Sequence, residues 1–287
     1  MDTLHTIAQL RAHIGGWRRE GLCIALVPTM GALHLGHRRL VEEARARADR
    51  VVATIFVNPL QFGPREDFEA YPRDLSADTR MLADQGVDLL FAPQVSEVYP
   101  AGPGAATRVE VPGISDILCG ASRPGHFAGV ATVVLKLFNM VQPDVALFGE
   151  KDYQQLAVIR RMVRDLDVSV EVVGVATVRE PDGLALSSRN RYLDARERAA
   201  APALYRALRQ VAEAVTAGTD PHVEESRAVA SLAQAGFEPE YVRVLRAGDL
   251  AQPQAADRDL VVLGAARLGR ARLIDNLAFS RRPGAAV

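Results

Sequence analysis

Residues 28–37, Pro-Thr-Met-Gly-Ala-Leu-His-Leu-Gly-His, decide the fold of this chain. They follow an apolar run at residues 22–27, which predicts a buried parallel strand. Apolar residues recur at helical spacing after Gly36, which predicts a helix that ends near Asp49. The order of strand, glycine-containing loop and helix is typical of α/β folds in which the helix N-terminus binds an anion.

Two histidines stand at the predicted N-terminus of this helix. His34 and His37 are three residues apart, so both side chains can face a phosphate and hydrogen-bond or protonate one of its oxygens. Gly31 and Gly36 let the backbone approach a ligand closely. Histidines at this spacing also occur as metal ligands or as unconnected surface residues. The sequence supplies no clear third metal ligand, and HxGH alone supports only nucleotide binding.

The composition excludes several classes of protein. The chain has 287 residues, enough for one large or two modest domains, and its 48% apolar and 24% charged residues indicate a globular protein. A net charge of −1 argues against a nucleic-acid binder. We expect no membrane span, since no apolar run approaches roughly 18 residues. We expect no signal peptide, since residues 1–5 lack a basic start and an apolar block. With only Cys23 and Cys119, a disulfide framework is not expected, which favours the reducing cytoplasm.

The rest of the chain alternates between strand and helix patterns. Predicted strands lie at residues 51–57, 87–91, 107–111, 144–148, 170–175, 240–245 and 260–274. Predicted helices lie at residues 3–20, 75–85 (capped by Asp74), 126–141, 153–165, 194–217 and 222–235. We therefore expect an α/β fold with a Rossmann-like parallel sheet and helices on both faces in residues 1–179. Residues 180–287 are expected to form a small α+β C-terminal domain that acts as a lid over the site.

Polar residues follow two of the predicted strands, where open parallel sheets bind ligands. Asn58 and Gln61 are neutral groups suited to a small substrate with hydroxyls or a carboxylate, although Asn58 can equally cap its loop. Lys151 offers a point charge to a phosphate, and Asp152 can accept hydrogen bonds from ribose hydroxyls. These positions predict a nucleotide site beside a site for a small polar substrate.

Two further segments carry groups that suit an anion. Arg123 and His126 precede an amphipathic helix, where they can bind an anion or serve as a structural cap. Residues 187–189, Ser-Ser-Arg, group two hydroxyls with a guanidinium. Such a loop can close over a triphosphate, or it can cap the helix that Asp194 begins.

Four motifs now stand in order along the chain, and together they resemble one family. They are PTMGALHLGH, NPLQFGPREDF, FGEKDYQQL and LSSRN. With the RPGHFAGV segment, they are similar to the pantoate–β-alanine ligases of the HxGH nucleotidylyltransferase superfamily over essentially the whole chain. Leu35 departs from the pattern, because relatives often carry an acidic residue between the histidines, and this departure concerns only local polarity.

The resemblance implies an ATP-dependent carbon–nitrogen ligase that condenses pantoate with β-alanine through a pantoyl-adenylate intermediate. It implies Mg²⁺ with ATP, and a cytoplasmic homodimer that binds neither nucleic acid nor membrane. The implied catalytic residues are His34, His37 as proton donor, Lys151 and Arg189. The implied ATP-binding residues are Met30, Gly31, Ala32, Leu33, His34, Leu35, Gly36, His37, Gly149, Glu150, Lys151, Asp152, Val178, Leu186, Ser187, Ser188 and Arg189. The implied pantoate and β-alanine residues are Gln61, Gln155 and Asn58, with Tyr71, Arg123 and His126 as further pocket residues.

The residues agree with this chemistry. Neither step needs a protein nucleophile, and no GxSxG or cysteine–histidine signature suggests one. No protein metal site is expected, since Mg²⁺ prefers phosphate oxygens and water. One alternative is an adenylyltransferase of the same fold with a phosphate acceptor, which would favour cations where Asn58, Gln61 and Gln155 are neutral. The other alternative is a non-catalytic nucleotide-binding module.

Overall fold

The computed structural model describes residues 1–63, 68–69 and 71–281. The predicted motif at residues 58–68 therefore lies in part outside the described residues. The chain divides into two compact units. The first contains the described residues of Met1–Glu150 and Val158–Ala176, and the second contains Lys151–Ala157 and the described residues from Thr177 onward. The boundary after residue 179 and the lid role of the C-terminal part stay predictions.

A six-stranded parallel sheet forms the centre of the first unit. Its strands are β1 Asp2–Leu4, β2 Ile24–Thr29, β3 Arg50–Ile55, β4 Leu89–Phe91, β5 Val145–Gly149 and β6 Glu171–Val175. Their order is β1-β4-β3-β2-β5-β6, and every neighbouring pair is parallel. The inner strands are nearly continuous apolar runs, as expected for strands that are buried on both faces.

Helices cover both faces of this sheet. They are α1 Ile7–Arg19, α2 Leu35–Arg45, α3 Leu75–Asp84, α4 Val95–Val98, α5 Cys119–Ser122, α6 His126–Val141 and α7 Tyr153–Asp165. Alternate strand residues face opposite sides, so Leu147 of β5 packs in the same cluster as Leu40 of α2. On the other face, the ring of Phe148 lies 6.4 Å from that of Phe138 of α6. The predicted α/β fold with helices on both faces is confirmed.

The strand order reverses between β2 and β5, which is where a ligand site is expected. From β2 the chain continues to β3 and β4 on one side of the sheet, whereas β5 and β6 lie on the other side. Ligands of open parallel sheets bind at the carboxyl ends of the strands at such a reversal. The segments that directly follow β2, β3 and β5 are those that the sequence singles out, beginning at Met30, near Asn58 and at Glu150.

The second unit contains a three-stranded antiparallel sheet with helices. Its elements are α8 Ala195–Ala200, α9 Ala203–Thr216, α10 Pro221–Gln234, β7 Glu238–Arg246, β8 Asp259–Leu268 and β9 Ala271–Ser280, with strand order β7-β8-β9. Leu204 and Leu208 of α9 pack with Val262 of β8 in the core of this unit. At Gly264 of β8 a Cβ atom would lie 3.1 Å from both leucine side chains, so the glycine lets α9 approach the sheet closely. The predicted small α+β domain is confirmed as a fold.

Two predictions near the sheet were wrong. Residues 3–20 are not one helix, because Asp2–Leu4 pair in parallel with β4 as strand β1, and Thr6 then caps α1. Three edge residues are too few to show the alternation that identifies a strand. No strand forms at residues 107–111, where the N–H of Val109 donates to the Thr132 hydroxyl instead of to a neighbouring strand.

Two predictions in the second unit also need correction. The helix expected from Asp194 to Ala217 is divided into α8 and α9 at Pro202, which lacks an N–H and cannot continue a helix without strain. The run expected at residues 260–274 is a hairpin rather than one strand, because the chain turns at Gly269 with a φ of 54° and returns as β9.

Candidate active site

The loop that follows β2 is held by side-chain hydrogen bonds to its backbone. The hydroxyl of Thr29 donates to the Thr54 carbonyl at 2.7 Å and accepts from the N–H of Gly31 at 3.2 Å. Gly31 has a φ of 81°, and a Cβ atom there would lie 2.9 Å from a carboxylate oxygen of Asp78. Ala32 follows with a φ of 52°. Glycine is therefore required at position 31 by both conformation and space.

Asp78 is a site residue that the sequence does not reveal. This carboxylate of α3 is 5% exposed and accepts the N–H groups of Ala32 and Leu33, each at 2.9 Å. It thereby satisfies two backbone donors of the loop that leads to the histidines. In the sequence it is one acid among several in a predicted amphipathic helix, and no local pattern relates it to residues 45 positions away.

The HxGH motif forms the first turn of α2. His34 is the N-cap, and its Nδ1 accepts from the N–H of Gly36 at 3.1 Å. The Nδ1 of His37 in turn accepts from the N–H of His34 at 3.2 Å, which completes a capping box. A Cβ atom on residue 36 would lie 2.8 Å from Cε1 of His34. The glycine leaves room for the His34 ring to cap the helix.

This cap fixes the tautomer of both histidines. A ring nitrogen that accepts a backbone N–H carries no proton, so the proton of each neutral ring lies on Nε2. The ring centroids of His34 and His37 are 4.2 Å apart. The helix N-terminus thus carries two imidazoles whose neutral forms are protonated at Nε2, and this arrangement suits phosphate oxygens.

Gln61 lies within a network of buried polar groups. It ends the short 3₁₀ turn Pro59–Gln61, and its Nε2 donates to Sδ of Met30 at 3.0 Å. Its Oε1 accepts from Nδ2 of Asn58 at 3.2 Å. The structure thus brings together the predicted residues Met30, Asn58 and Gln61. Asn58 also accepts from the N–H of Leu60, so the loop-capping interpretation of this residue is confirmed.

Arg123 and His126 hold the backbone of Gln61. Nδ1 of His126 donates to the Gln61 carbonyl at 2.8 Å, and Arg123 reaches the same carbonyl at 3.3 Å. Arg123 also lies 3.0 Å from Nε2 of His126, which is consistent with a proton on Nδ1 of this ring. Neither residue caps α6, whose N-cap is Gly125. The predicted pocket residue Tyr71 is buried, and its ring packs edge-on against Phe62.

A cavity of about 470 Å³ adjoins Gln61. The backbone and side chains of the Pro59–Gln61 turn form one wall, and Arg108, Arg123 and His126 contribute basic groups. A cavity with this lining suits a small molecule that carries a carboxylate.

In the second unit, a hairpin leads into the predicted phosphate loop. The carbonyl of Val178 accepts from the N–H of Leu186 at 3.0 Å, and Gly183 at the turn has a φ of 96°. Ser187 then caps the 3₁₀ turn Ser188–Tyr192 by accepting from the N–H of Arg189 at 3.2 Å. The cap of α8 is Asp194, so the Ser-Ser-Arg segment is not the cap of that helix.

Two adjacent residues of β9 connect this hairpin to Lys151. The Asp275 carboxylate is buried and forms a bidentate ion pair with Arg179, with N–O distances of 2.6 and 2.9 Å. The Arg179 guanidinium also lies 3.6 Å from the ring centroid of Tyr205. Nδ2 of Asn276 donates to the backbone carbonyl of Lys151 at 3.0 Å. Sequence reasoning missed this anchor, because Asp275 and Asn276 are distant in the chain from the segments they hold.

The remaining predicted residues lie at the start of α7 and at the end of β5. Gly149 ends β5, and the 3₁₀ turn Glu150–Asp152 follows it directly. Gln155 is half-buried in the first turn of α7, whereas Asp152 is exposed. Along the chain this segment therefore follows strand β5 directly, as the sequence predicts.

Comparison with known proteins agrees with this geometry. A family model described as pantoate-beta-alanine ligase matches residues 2–278. The chain is 59% identical over 281 residues to the pantothenate synthetase of Shewanella amazonensis, with 98% of this chain and 100% of the relative covered. It is 60% identical over 284 residues to the pantothenate synthetase of Thioalkalivibrio sulfidiphilus, with 99% of each chain covered.

Solved structures give the same result. The crystal structure of pantothenate synthetase from Thermus thermophilus is similar with a TM-score of 0.85 and 50% identity, over 96% of this chain and 99% of that chain. The pantoate-beta-alanine ligase from Francisella tularensis, complexed with beta-gamma ATP and beta-alanine, has a TM-score of 0.82 and 34% identity over the full length of both chains. By its fold, its site geometry and these similarities, the chain belongs to the pantoate–β-alanine ligase family.

Proposed function

We propose that this chain joins pantoate to the amino group of β-alanine and converts ATP to AMP and pyrophosphate. Family membership makes it an ATP-dependent ligase. The observation that carries the proposal is the helix cap in which Nδ1 of His34 and Nδ1 of His37 each accept a backbone N–H. This cap places the proton of each neutral ring on Nε2 at a helix N-terminus, where a triphosphate is favoured.

The first step activates the acid. A carboxylate oxygen of pantoate attacks the α-phosphorus of ATP, and the bond from that phosphorus to pyrophosphate breaks. Negative charge develops on the phosphate oxygens, where His34, His37, Lys151 and Arg189 supply donors and positive charge. His37 would share its Nε2 proton with a phosphoryl oxygen, in keeping with its expected role as proton donor.

The second step forms the amide. The deprotonated amine of β-alanine attacks the acyl carbon of pantoyl-adenylate, the carbon–oxygen bond to AMP breaks, and the amine proton passes to solvent. No protein group forms a covalent bond in either step, so the protein contributes position and electrostatic stabilisation.

The substrate contacts that we propose are those implied by the resemblance of the motifs to the family. We assign pantoate to Gln61 and Gln155, with Asn58 and Tyr71 as supporting residues. The cavity next to Gln61, with Arg108 and Arg123 in its lining, suits the β-alanine carboxylate. We assign ATP to Met30, Gly31, Ala32, Leu33, His34, Leu35, Gly36, His37, Gly149, Glu150, Lys151, Asp152, Val178, Leu186, Ser187, Ser188 and Arg189.

An ATP-using ligase fits a need for a divalent metal ion, and we propose Mg²⁺. Within residues 1–63, 68–69 and 71–281, no group of three or more His, Cys, Asp or Glu side chains is placed to hold a metal ion. We propose that the phosphate oxygens of ATP and water hold this ion. When bound, such an ion neutralises part of the phosphate charge.

We also propose that the protein is a cytoplasmic homodimer. No disulfide joins Cys23 and Cys119, which supports a reducing compartment. Of the helices in the described part of the chain, none combines the length and apolar character that crossing a bilayer requires. Sedimentation of the purified protein tests the dimer, and a single species of about 31 kDa would contradict it.

Exchange of labelled pyrophosphate into ATP, with Mg²⁺ present and β-alanine absent, tests the proposed reaction. We expect exchange that requires pantoate, because the first step is reversible and needs no amine. Exchange that is equally fast without pantoate would overturn the assignment of the acceptor. The absence of exchange, together with no AMP formation after β-alanine is added, would overturn the proposed reaction.

A further inference from the structure

We infer that the buried hydroxyl of Tyr99 positions Gln61 for its substrate, acting through Asn58. This inference rests on the proposed function, since it assigns a role to the side chain that we place on pantoate. Tyr99 follows α4, is 3% exposed and donates its hydroxyl to Oδ1 of Asn58 at 2.8 Å. It is 38 residues beyond Gln61, and no motif in the sequence includes it.

The four contacts of Asn58 fix the orientation of its amide. Oδ1 accepts from the Tyr99 hydroxyl and from the N–H of Leu60, whereas Nδ2 donates to the Gly129 carbonyl at 3.0 Å and to Oε1 of Gln61. A reversed amide would place Oδ1 against the Gly129 carbonyl and Nδ2 against the Leu60 N–H. The Asn58 side chain is 1% exposed, so water would not compensate these losses.

The orientation of Asn58 determines which end of Gln61 can donate. Because Oε1 of Gln61 is bound to Asn58, its Nε2 lies at the other end of the carboxamide, where one N–H reaches Met30. Nε2 carries two N–H groups, and an N–H donor complements a carboxylate or hydroxyl oxygen. Gln61 therefore presents donors, and this polarity suits pantoate oxygens.

The surroundings of Tyr99 keep its phenol protonated and its ring packed. Burial raises the pKa of Tyr99 to about 12, so the phenol remains a donor at neutral pH. Its ring lies 6.1 Å from that of Phe56, and Nζ of Lys136 lies 5.5 Å from its centroid. At Gly129 a Cβ atom would lie 2.2 Å from the Leu60 carbonyl, so α6 and the Asn58 turn meet backbone to backbone. Side chains therefore pack against the Tyr99 ring, and the backbone of α6 packs against the Asn58 turn.

The test is Tyr99→Phe, which removes one oxygen atom and keeps the ring. We expect kcat/KM for pantoate in the exchange reaction to fall about tenfold, as for the loss of one buried hydrogen bond, while KM for ATP stays within about twofold. Phe56→Leu is the matched control, because it loosens the packing of the Tyr99 ring and leaves the hydroxyl. If Tyr99 has a purely structural role, both variants lower the melting temperature, and neither lowers kcat/KM for pantoate without also changing KM for ATP.

A double-mutant cycle with Asn58→Ala tests whether Tyr99 acts on Gln61 through Asn58 or independently of it. If Tyr99 acts through Asn58, Tyr99→Phe does not change kcat/KM for pantoate further in the Asn58→Ala background. The inference would be overturned if Tyr99→Phe lowered kcat/KM for pantoate equally in both backgrounds. It would also be overturned if Tyr99→Phe alone left kcat/KM for pantoate unchanged. Pantoate-independent exchange by the unaltered protein would overturn the proposed function instead, and the two failures are therefore distinct.

Discussion

The carboxamide nitrogen of Gln61 donates to the sulfur of Met30 across 3.0 Å, and this contact joins the segments that follow β2 and β3. Met30 belongs to the proposed ATP loop, whereas Gln61 belongs to the proposed pantoate site. A thioether is a soft, weak acceptor, so the contact orients Gln61 without holding its nitrogen as strongly as an oxygen would. Gln61 can exchange this partner for a substrate oxygen at little cost.

Met30→Leu tests this contact. Leucine keeps the apolar volume and removes the acceptor, so we expect KM for pantoate to rise about threefold, with little change in the free energy of unfolding. Steady-state kinetics and a thermal melt measure the two quantities. Met140→Leu, a buried substitution in α6, is the control. An equal rise in KM for both variants would show that general packing, rather than this contact, is responsible.

Asp78→Asn tests the support of the ATP loop. The amide keeps the shape of the carboxylate but places an N–H₂ group against one of the two backbone N–H donors of the loop. We expect about 1–3 kcal/mol less stabilisation of the loop conformation, and a KM for ATP raised at least about tenfold. Asp74→Asn is matched to it, since Asp74 caps the same helix and asparagine caps equally well. A normal KM for ATP in Asp78→Asn would contradict this role.

Gly36→Ala tests whether the His34 cap matters for adenylation independently of thermal stability. Alanine favours helix by about 1 kcal/mol over glycine, yet its Cβ atom would lie 2.8 Å from the His34 ring and displace the cap. We expect adenylation to fall about a hundredfold, without a matching loss of thermal stability. Gly16→Ala in α1, where nothing beyond the neighbouring residues and the helix's own backbone lies within 4 Å of the added carbon, should leave activity unchanged. Full activity in Gly36→Ala would show that the ring accommodates the methyl group.

His37→Asn and His37→Gln distinguish the two nitrogen atoms of the ring. The asparagine oxygen can replace Nδ1 in the cap, whereas the glutamine nitrogen can replace the Nε2–H donor. We therefore expect His37→Asn to keep the melting temperature but lose on the order of 10²–10³ in rate. His37→Gln should retain more activity and melt at a lower temperature. The reverse order in both measurements would contradict the assigned tautomer.

Asn276→Asp tests the anchor of Lys151. A carboxylate in this buried position would face the Lys151 carbonyl and remove the donor that holds it, so we expect KM for ATP to rise about tenfold. Thr216→Val is the control, because Thr216 also donates to a backbone carbonyl, that of Ala212 in α9, and belongs to no segment that we assign to ATP. If both variants change KM for ATP equally, the anchor has no specific role.

The sequence predicts those parts of the candidate site whose residues lie close together in the chain. The HxGH cap, Asn58 with Gln61, and Lys151 all lie in short segments next to apolar runs, and periodicity places them at strand ends. Three contacts join residues that are 41 or more positions apart in the chain. Asp78 binds Leu33, Tyr99 binds Asn58, and Asn276 binds Lys151. No local pattern encodes such contacts, because they arise only when helices and strands pack. Strand β1 escapes prediction for a similar reason, since pairing with β4 rather than composition makes it a strand.

The division of the chain into units also limits how the protein can be dissected. The chain passes between the units after Glu150, after Ala157 and after Ala176, so a single cut cannot release either one intact. A fragment that ends at Ala176 would retain Lys151–Ala157 but lack Asn276, which binds the Lys151 carbonyl. Domain expression, segmental isotope labelling and chimaeras with relatives therefore require exchange of Lys151–Ala157 together with the C-terminal part.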